Sequence, residues 1–308
     1  MRARVAILGI FVADLAFEAP RLPQLGETLL GQGFRMGPGG KGSNQAVAAA
    51  KAGANAALIT RLGADAFGEI ALGIWGEAGV DTAHVVRDSA RPTGAAFIFV
   101  STRDGNNAII VEAGAAGDLT AADLDAAREA ITKAAVFVTQ LEQPIDAARR
   151  GLALAREAGV ATVLNPAPAA ELDDALLTLC DYVTPNESEA AALTGLPVGS
   201  VEEARVAADR LLARGARAAV LTLGERGALY HDGRISDLVP AFAVGPVRDT
   251  TGAGDAFTGA FATALGEGRA PLEAVRFACA AGSLSVTRPG AAAAMPTRAE
   301  IDALLAEN

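Results

Sequence analysis

Three observations predict an α/β fold with a mainly parallel central sheet, helices on both of its faces, and a small second β-sheet beside it. Short apolar runs alternate with amphipathic, alanine-rich stretches along most of the chain. The composition is 51% hydrophobic but only 5% aromatic, which suits close helix-on-sheet packing better than a sandwich built on aromatic anchors. Two glycine-rich turns, one beginning at Gly37 and one at Gly252, each open onto an alanine-rich helical stretch. Converging backbone N–H groups at such helix starts favour anions.

The strand candidates, in order, are residues 5–10, 56–60, 136–140, 161–164, 182–184 and 218–222. The first follows Met1-Arg2-Ala3-Arg4, a basic start of the kind that opens a signal peptide, but its apolar run is short and Asp14 interrupts it; a buried first strand is expected instead. Helix candidates are residues 43–52, 67–78, 121–130, 145–158, 187–193, 201–214 and 254–265. Brief apolar runs between helices read as strands buried on both faces, as a parallel sheet requires. Ligands then bind beyond the carboxyl ends of the strands.

Two stretches break this rhythm. Residues 17–35 contain Pro20, Pro23, Gly26, Gly31 and Gly33 and read as extended segments and turns. Strands at 95–100 and 108–111 flank Arg103-Asp104-Gly105-Asn106-Asn107, a hairpin turn. Small sheets are marginal in water by themselves. Residues of about 12–36 and 93–112 are therefore expected to cover a pocket as a lid or to pack on a second copy; an edge hairpin of the main sheet is the alternative.

The formal charge of −10 over 308 residues disfavours nucleic acid and anionic membrane, leaving a small molecule as the expected partner. No apolar run approaches the ~20 residues that span a bilayer. Cys180 and Cys279 lie far apart without metal-ligand spacing, which predicts reduced, buried thiols and a cytoplasmic protein.

The chemistry-bearing residues cluster after the strands. Asp249-Thr250-Thr251-Gly252-Ala253-Gly254-Asp255 joins an anion-binding turn to a carboxylate. A carboxylate there repels a phosphate unless it has a separate task, such as accepting a proton from an attacking hydroxyl; the alternative is a first-turn acid that favours the helix dipole. Gly37-Pro38-Gly39-Gly40-Lys41-Gly42-Ser43-Asn44 formally satisfies G-x-G-x-x-G, yet lies far beyond the first strand, and lacks the Ser or Thr after Lys41 that a Walker A loop needs. Gly40, Gly42, Asn44 and the cation of Lys41 suit a polyhydroxylated ligand instead. Asp14 and Glu142 sit beyond strands, where carboxylates accept hydrogen bonds from vicinal hydroxyls. Asn186 and Glu189 are spaced either as a helix cap or as holders of a hydrated magnesium ion. Thr222-Leu223-Gly224-Glu225-Arg226-Gly227 allows close approach of a nucleotide, or is a plain turn.

Taken with Asn165-Pro166-Ala167-Pro168-Ala169 and Thr184-Pro185-Asn186-Glu187, these phrases resemble the ribokinase branch of the PfkB carbohydrate kinases, in order and spacing, over essentially the whole chain. The resemblance implies one ribokinase-like domain over residues 1–308, a three-layer α/β/α fold with a β lid, and a homodimer formed through that lid. It implies ATP-dependent phosphorylation of a sugar hydroxymethyl group, with ribose first among the acceptors. On this resemblance Asp255 is the base, and the N–H groups of Gly252, Ala253 and Gly254 form the anion hole. Asp14, Gly40, Lys41, Gly42, Asn44 and Glu142 face the sugar. Asn186, Thr222, Gly224, Glu225, Gly227, Gly254 and Cys279 line the nucleotide, and Asn186 with Glu189 acts on magnesium. Asp249 and the carbonyls of Thr251, Ser285, Arg288 and Gly290 match a site for an activating monovalent cation, potassium.

Three positions depart from that pattern. Val12 stands where ribokinases tend to carry a sugar-contacting asparagine, Ala294 offers no hydroxyl to the cation loop, and Cys279 replaces a polar residue beside the adenine. Val12 keeps open a ketohexose acceptor of the fructose or tagatose kind. A nucleoside acceptor fits less well, given few aromatic residues to stack a base. Outside the family, an NAD-dependent oxidoreductase and a non-catalytic sugar sensor are the competing readings.

Overall fold

Residues 2–308 are described by a computed structural model. Their strands are β1 (Arg4–Leu8), β2 (Val12–Ala19), β3 (Gly33–Gly39), β4 (Asn55–Gly63), β5 (Asp81–Asp88), β6 (Thr93–Ser101), β7 (Asn107–Gly114), β8 (Val136–Thr139), β9 (Ala161–Leu164), β10 (Tyr182–Val183), β11 (Ala218–Thr222), β12 (Ala228–His231) and β13 (Ser236–Val239). The helices are α1 (Lys41–Lys51), α2 (Ala66–Ala78), α3 (Ala121–Ala126), α4 (Arg128–Thr132), α5 (Ile145–Glu157), α6 (Asp174–Leu177), α7 (Glu187–Thr194), α8 (Val201–Ala213), α9 (Ala253–Gly266), α10 (Pro271–Ser285) and α11 (Arg298–Glu307).

Nine strands form the central sheet in the order β13-β12-β11-β10-β9-β8-β1-β4-β5. Its pairs are parallel from β11 through to β5, while β12 and β13 add an antiparallel edge. Alternation along the strands makes two cores. Val5, Ile7, Val136 and Val138 join the layer that holds α1, α9 and α10, whereas Ala6, Leu8 and Phe137 point into the layer that holds α5 and α8. The inner strands such as β1, β8, β9 and β11 are therefore apolar on both faces, which is why the sequence shows runs rather than alternation there.

The structure adds to and corrects the expected elements. Residues 218–222 are not the last strand, because β12 and β13 follow. The helix expected over 121–130 breaks at Ala127 into α3 and α4. α10 and α11 were not anticipated, although Pro271 at the helix start and the Thr297/Glu300 capping box are legible signals. The hairpin is not an edge of the main sheet. It joins β2 and β3 in a separate four-stranded sheet, ordered β3-β2-β6-β7. One face of that sheet exposes apolar side chains, including Phe34 at 57%, Met36 at 49% and Ile110 at 70% exposure, and Phe17 packs against Phe34 and Phe97 upon it.

The contact that matters most for the site lies between α1 and α9. A Cβ added at Gly259 would lie 2.6 Å from the Ala48 side chain and 2.9 Å from the Ala49 backbone nitrogen. Small residues let these two helices approach closely, which brings their glycine-rich starts together although 211 residues separate Asn44 from Asp255.

Candidate active site

Both helix starts depend on glycine for particular reasons. Gly40 holds φ at 88°, and a side chain there would strike the Ile10 carbonyl. Gly42, expected among the sugar contacts, is instead buried in backbone packing: its added Cβ would lie 2.5 Å from the Gly9 Cα. Gly252 caps α9 at φ 77° and backs onto Ala291. Gly254 meets nothing within 4 Å, so its missing side chain leaves open space at the helix start. The Ala253 N–H donates to the Thr250 carbonyl at 3.2 Å. The N–H groups of Gly252, Gly254 and Asp255 find no backbone acceptor among the described residues. Ala253 is thus committed to its own turn, while the N–H groups on either side of it are open.

Asp255 is buried on the first turn of α9, and both its oxygens are held by amides from α1. Asn44 Nδ2 donates to Oδ2 at 3.0 Å and Gln45 Nε2 donates to Oδ1 at 3.0 Å. Asn44 Oδ1 is buried with no donor among the described residues. An orphan acceptor of this kind beside a carboxylate suits a ligand hydroxyl.

On the side toward the small sheet, the Lys41 N–H donates to Glu142 Oε2 at 2.7 Å. Asp14 lies within β2 rather than in a loop after β1, and its carboxyl covers the place where a Gly39 side chain would sit. Burial pushes Asp14 up to about 6 and Glu142 up to about 7, the latter also raised by the nearby charges of Asp255 and Asp14. Burial likewise raises Asp255, opposed by Lys41, Gln45 and Asn44. Four carboxylates with Glu189 face one lysine, so the site favours ligands that bring hydrogen-bond donors or positive charge.

On the other side, Asn186 Oδ1 accepts from the Glu189 N–H at 2.8 Å while Glu189 Oε2 accepts from the Asn186 N–H at 2.9 Å. The pair forms the capping box of α7, so the cap reading is realised in the structure. Asn186 also bridges to Thr222 at the end of β11. Gly224 and Gly227 both have positive φ, but a side chain at Gly227 would strike the Val239 carbonyl, so this glycine serves packing. Glu225 is exposed on the intervening turn. Cys279 is buried on α10, its Sγ 3.8 Å from the Val239 carbonyl, and burial pushes its thiol up to about 12, which leaves it inert.

Asp249 accepts the Thr251 N–H at 2.9 Å on one oxygen and the Gly290 N–H at 2.8 Å on the other. Each oxygen keeps a lone pair, and the Arg288 guanidinium is turned to Glu300. A carboxylate with no cationic side chain bonded to it among the described residues fits a hard monovalent ion, although of the expected carbonyls that of Ser285 already accepts the Arg288 N–H at 3.2 Å. The Ser285 hydroxyl donates to the Gly282 carbonyl, and Lys51 spans the Ala292 and Met295 carbonyls.

A cavity of about 200 Å³ joins the start of α9 to the α7 and β11 side, lined among others by Lys41, Asn165, Asn186, Glu189, Thr222, Gly252, Gly254 and Asp255; Asp14, Asn44, Glu142 and Asp249 lie outside its lining. A larger cleft of about 530 Å³ lies at the amino ends of β9 to β11. Its Asp181 is already paired with Arg156 and Arg217, so the chemistry belongs to the smaller cavity. The sequence reading gave no role to Gln45, Gln140 or Asn165. The available signal was polar amides beside runs that read as buried.

A buried carboxylate at a glycine-cradled helix start, with further carboxylates suited to hydroxyls nearby, defines a kinase-type α/β site. The chain belongs to the PfkB family of carbohydrate kinases: residues 2–298 match the pfkB family carbohydrate kinase. It is 39% identical over 300 residues to the ribokinase of Haemophilus influenzae, covering 97% of each chain. It is 35% identical over 305 residues to the deoxyribokinase of Salmonella typhi, covering 99% of each. The structure of Arabidopsis thaliana ribokinase complexed with ribose and ATP matches with a TM-score of 0.93 at 32% identity, over 99% of both chains. Family membership removes the oxidoreductase reading.

Proposed function

We propose that this protein transfers the γ-phosphoryl group of ATP to the primary hydroxyl of a pentose, ribose in the first instance. The observation that carries this reading is Asp255, buried between two glycine-rich helix starts, with the unpartnered Asn44 Oδ1 beside it. The likeness to ribokinases at 39% and 38% identity supports ribose. Asp14, Asn44 and Glu142 accept hydrogen bonds from the sugar hydroxyls and hold the reacting one against Asp255. Thr222, Asn186 and the turn at Gly224 receive the nucleotide. As the alcohol attacks in line, Asp255 takes its proton, and the free amides at the start of α9 offset charge on the moving phosphoryl group. An alcohol is far less acidic than a carboxylic acid, so the proton moves late in the step.

Magnesium arriving with the nucleotide supplies charge neutralisation at the phosphates, with Asn186 and Glu189 placed to meet its water shell. Asp249 and the carbonyls of Thr251, Ser285, Arg288 and Gly290 would hold a potassium ion, which would supply positive charge to the anion site. The exposed apolar face of the small sheet supports pairing of two copies through it, and two free thiols with ATP as substrate support a cytoplasmic enzyme.

An ADP-release assay over pentoses, hexoses and nucleosides, with and without potassium, tests the reading. Asp255→Asn is expected to lower kcat roughly 100- to 10,000-fold while ATP still binds; turnover at the parent rate would sink the assignment of the base. A second reading, 2-deoxyribose as the preferred acceptor, is favoured by Val12. This buried side chain shares a strand face with Asp14 and can make no hydrogen bond to a hydroxyl. The likeness to a deoxyribokinase supports it as well. Val12→Asn is then expected to move the kcat/KM ratio about tenfold toward ribose; an unchanged ratio removes this reading.

A further inference from the structure

The carboxylate of Asp255 ends a directed chain of buried amides that begins at a backbone carbonyl. The Thr184 carbonyl is an acceptor only, so Asn165 must present its Nδ2 to it, at 2.9 Å. Asn165 Oδ1 therefore faces Gln45, which must donate, at 3.0 Å. The Gln45 Oε1 is occupied by Gln140 Nε2, at 2.5 Å. With its oxygen committed, Gln45 can present only its second N–H to Asp255 Oδ1, at 3.0 Å. Gln45, Gln140 and Asn165 are all buried, so water does not complete these bonds instead.

We propose that Gln45 is a positioning residue for phosphoryl transfer: its amide, oriented from both sides, holds Asp255 ionised and fixes which of its lone pairs faces the sugar hydroxyl. The inference deepens the kinase reading and rests on it. Charged groups that face Asp255 are Lys41 from α1, Glu142 beyond β8 and Glu189 from α7, with Asp14 on β2 acting on Glu142. Only Lys41 among them favours the carboxylate, and Glu142 and Glu189 oppose it. The two amide bonds from Asn44 and Gln45 therefore carry much of the task of keeping a buried base deprotonated near neutral pH. Gln45 also ties the acceptor side of the cavity to Thr184, two residues before Asn186.

The test is the pH dependence of kcat in the parent, Asp255→Asn and Gln45→Met, the last being near-isosteric but unable to donate. Loss of one charge-assisted hydrogen bond is expected to move the acid limb of the Gln45→Met profile up by about one pH unit, with kcat up to about tenfold lower on that limb, near parent on the plateau above it, and KM for ATP unchanged. A loss of kcat equal at all pH values, or an unmoved limb, overturns the proposal and leaves the kinase reading intact. Turnover of Asp255→Asn at the parent rate overturns both. If Gln45→Met does not fold, Asn165→Ala frees the Gln45 amide to rotate. A smaller upward move of the same limb is then expected, and a profile superimposable on the parent overturns the proposal.

Discussion

Glu142 offers a test of the site's electrostatics that is independent of turnover. Burial, with Asp255 and Asp14 nearby, lifts its carboxyl from an ordinary 4.5 to about 7, against the opposing hydrogen bond from the Lys41 N–H. Between those values the folded protein holds a proton that the unfolded chain has released. Stability therefore falls as pH rises through this window, and the contribution of the neutral carboxyl is lost above about 7. At ~1.4 kcal/mol per decade the ceiling is roughly 3 kcal/mol, and partial solvent access reduces it to about 1–2 kcal/mol. Glu142→Gln removes the titration while its amide oxygen can still accept the Lys41 N–H. The variant is expected to match the parent near pH 5 and to exceed it at pH 8 by about 2–4 °C in Tm, with sugar turnover impaired. Thermal melts of both proteins without ligand, across pH 5 to 8, give the answer, because their difference cancels the titrating groups that do not interact with Glu142 and leaves Glu142 with its coupled neighbours Asp14 and Asp255. A difference that does not grow with pH would refute the reasoning.

Two further outcomes are expected. Gly42→Ala places a methyl group 2.5 Å from the Gly9 Cα, so it should cost about 1–3 kcal/mol by overpacking and displace Asn44; a variant with parent Tm and parent kcat contradicts the packing role given to this glycine. Ile110→Lys charges a side chain 70% exposed on the small sheet. It should leave Tm nearly unchanged but convert a dimer to a monomer in analytical ultracentrifugation, and a parent that sediments as a monomer rejects the pairing surface.

Much of this protein was decided locally. Apolar runs such as residues 161–164 and 218–222 coincide with β9 and β11 because a strand buried on both faces has no alternative composition. The glycine turns before α1 and α9 were legible because positive φ and open helix starts leave few residue choices. Asp14, Lys41, Glu142 and Asp255 stood out as charges beyond strands or at helix starts. Less was legible where local signals were weak. β5 carries Asp81, His84, Arg87 and Asp88 on an edge and reads as a loop, and α10 is so evenly apolar that no face stands out.

Tertiary structure alone decided which of these pieces meet. The close crossing of α1 and α9 through Gly259, Ala48 and Ala49 carries Asn44 and Gln45 to Asp255, a contact no local pattern encodes because it depends on the shapes of two distant surfaces. The same packing separated glycines that look alike in the sequence: Gly42 and Gly227 admit neighbouring backbone, and Gly254 opens onto the cavity. It also gave Gln45, Gln140 and Asn165 their significance, since an amide acquires a fixed direction only when each of its partners is in place.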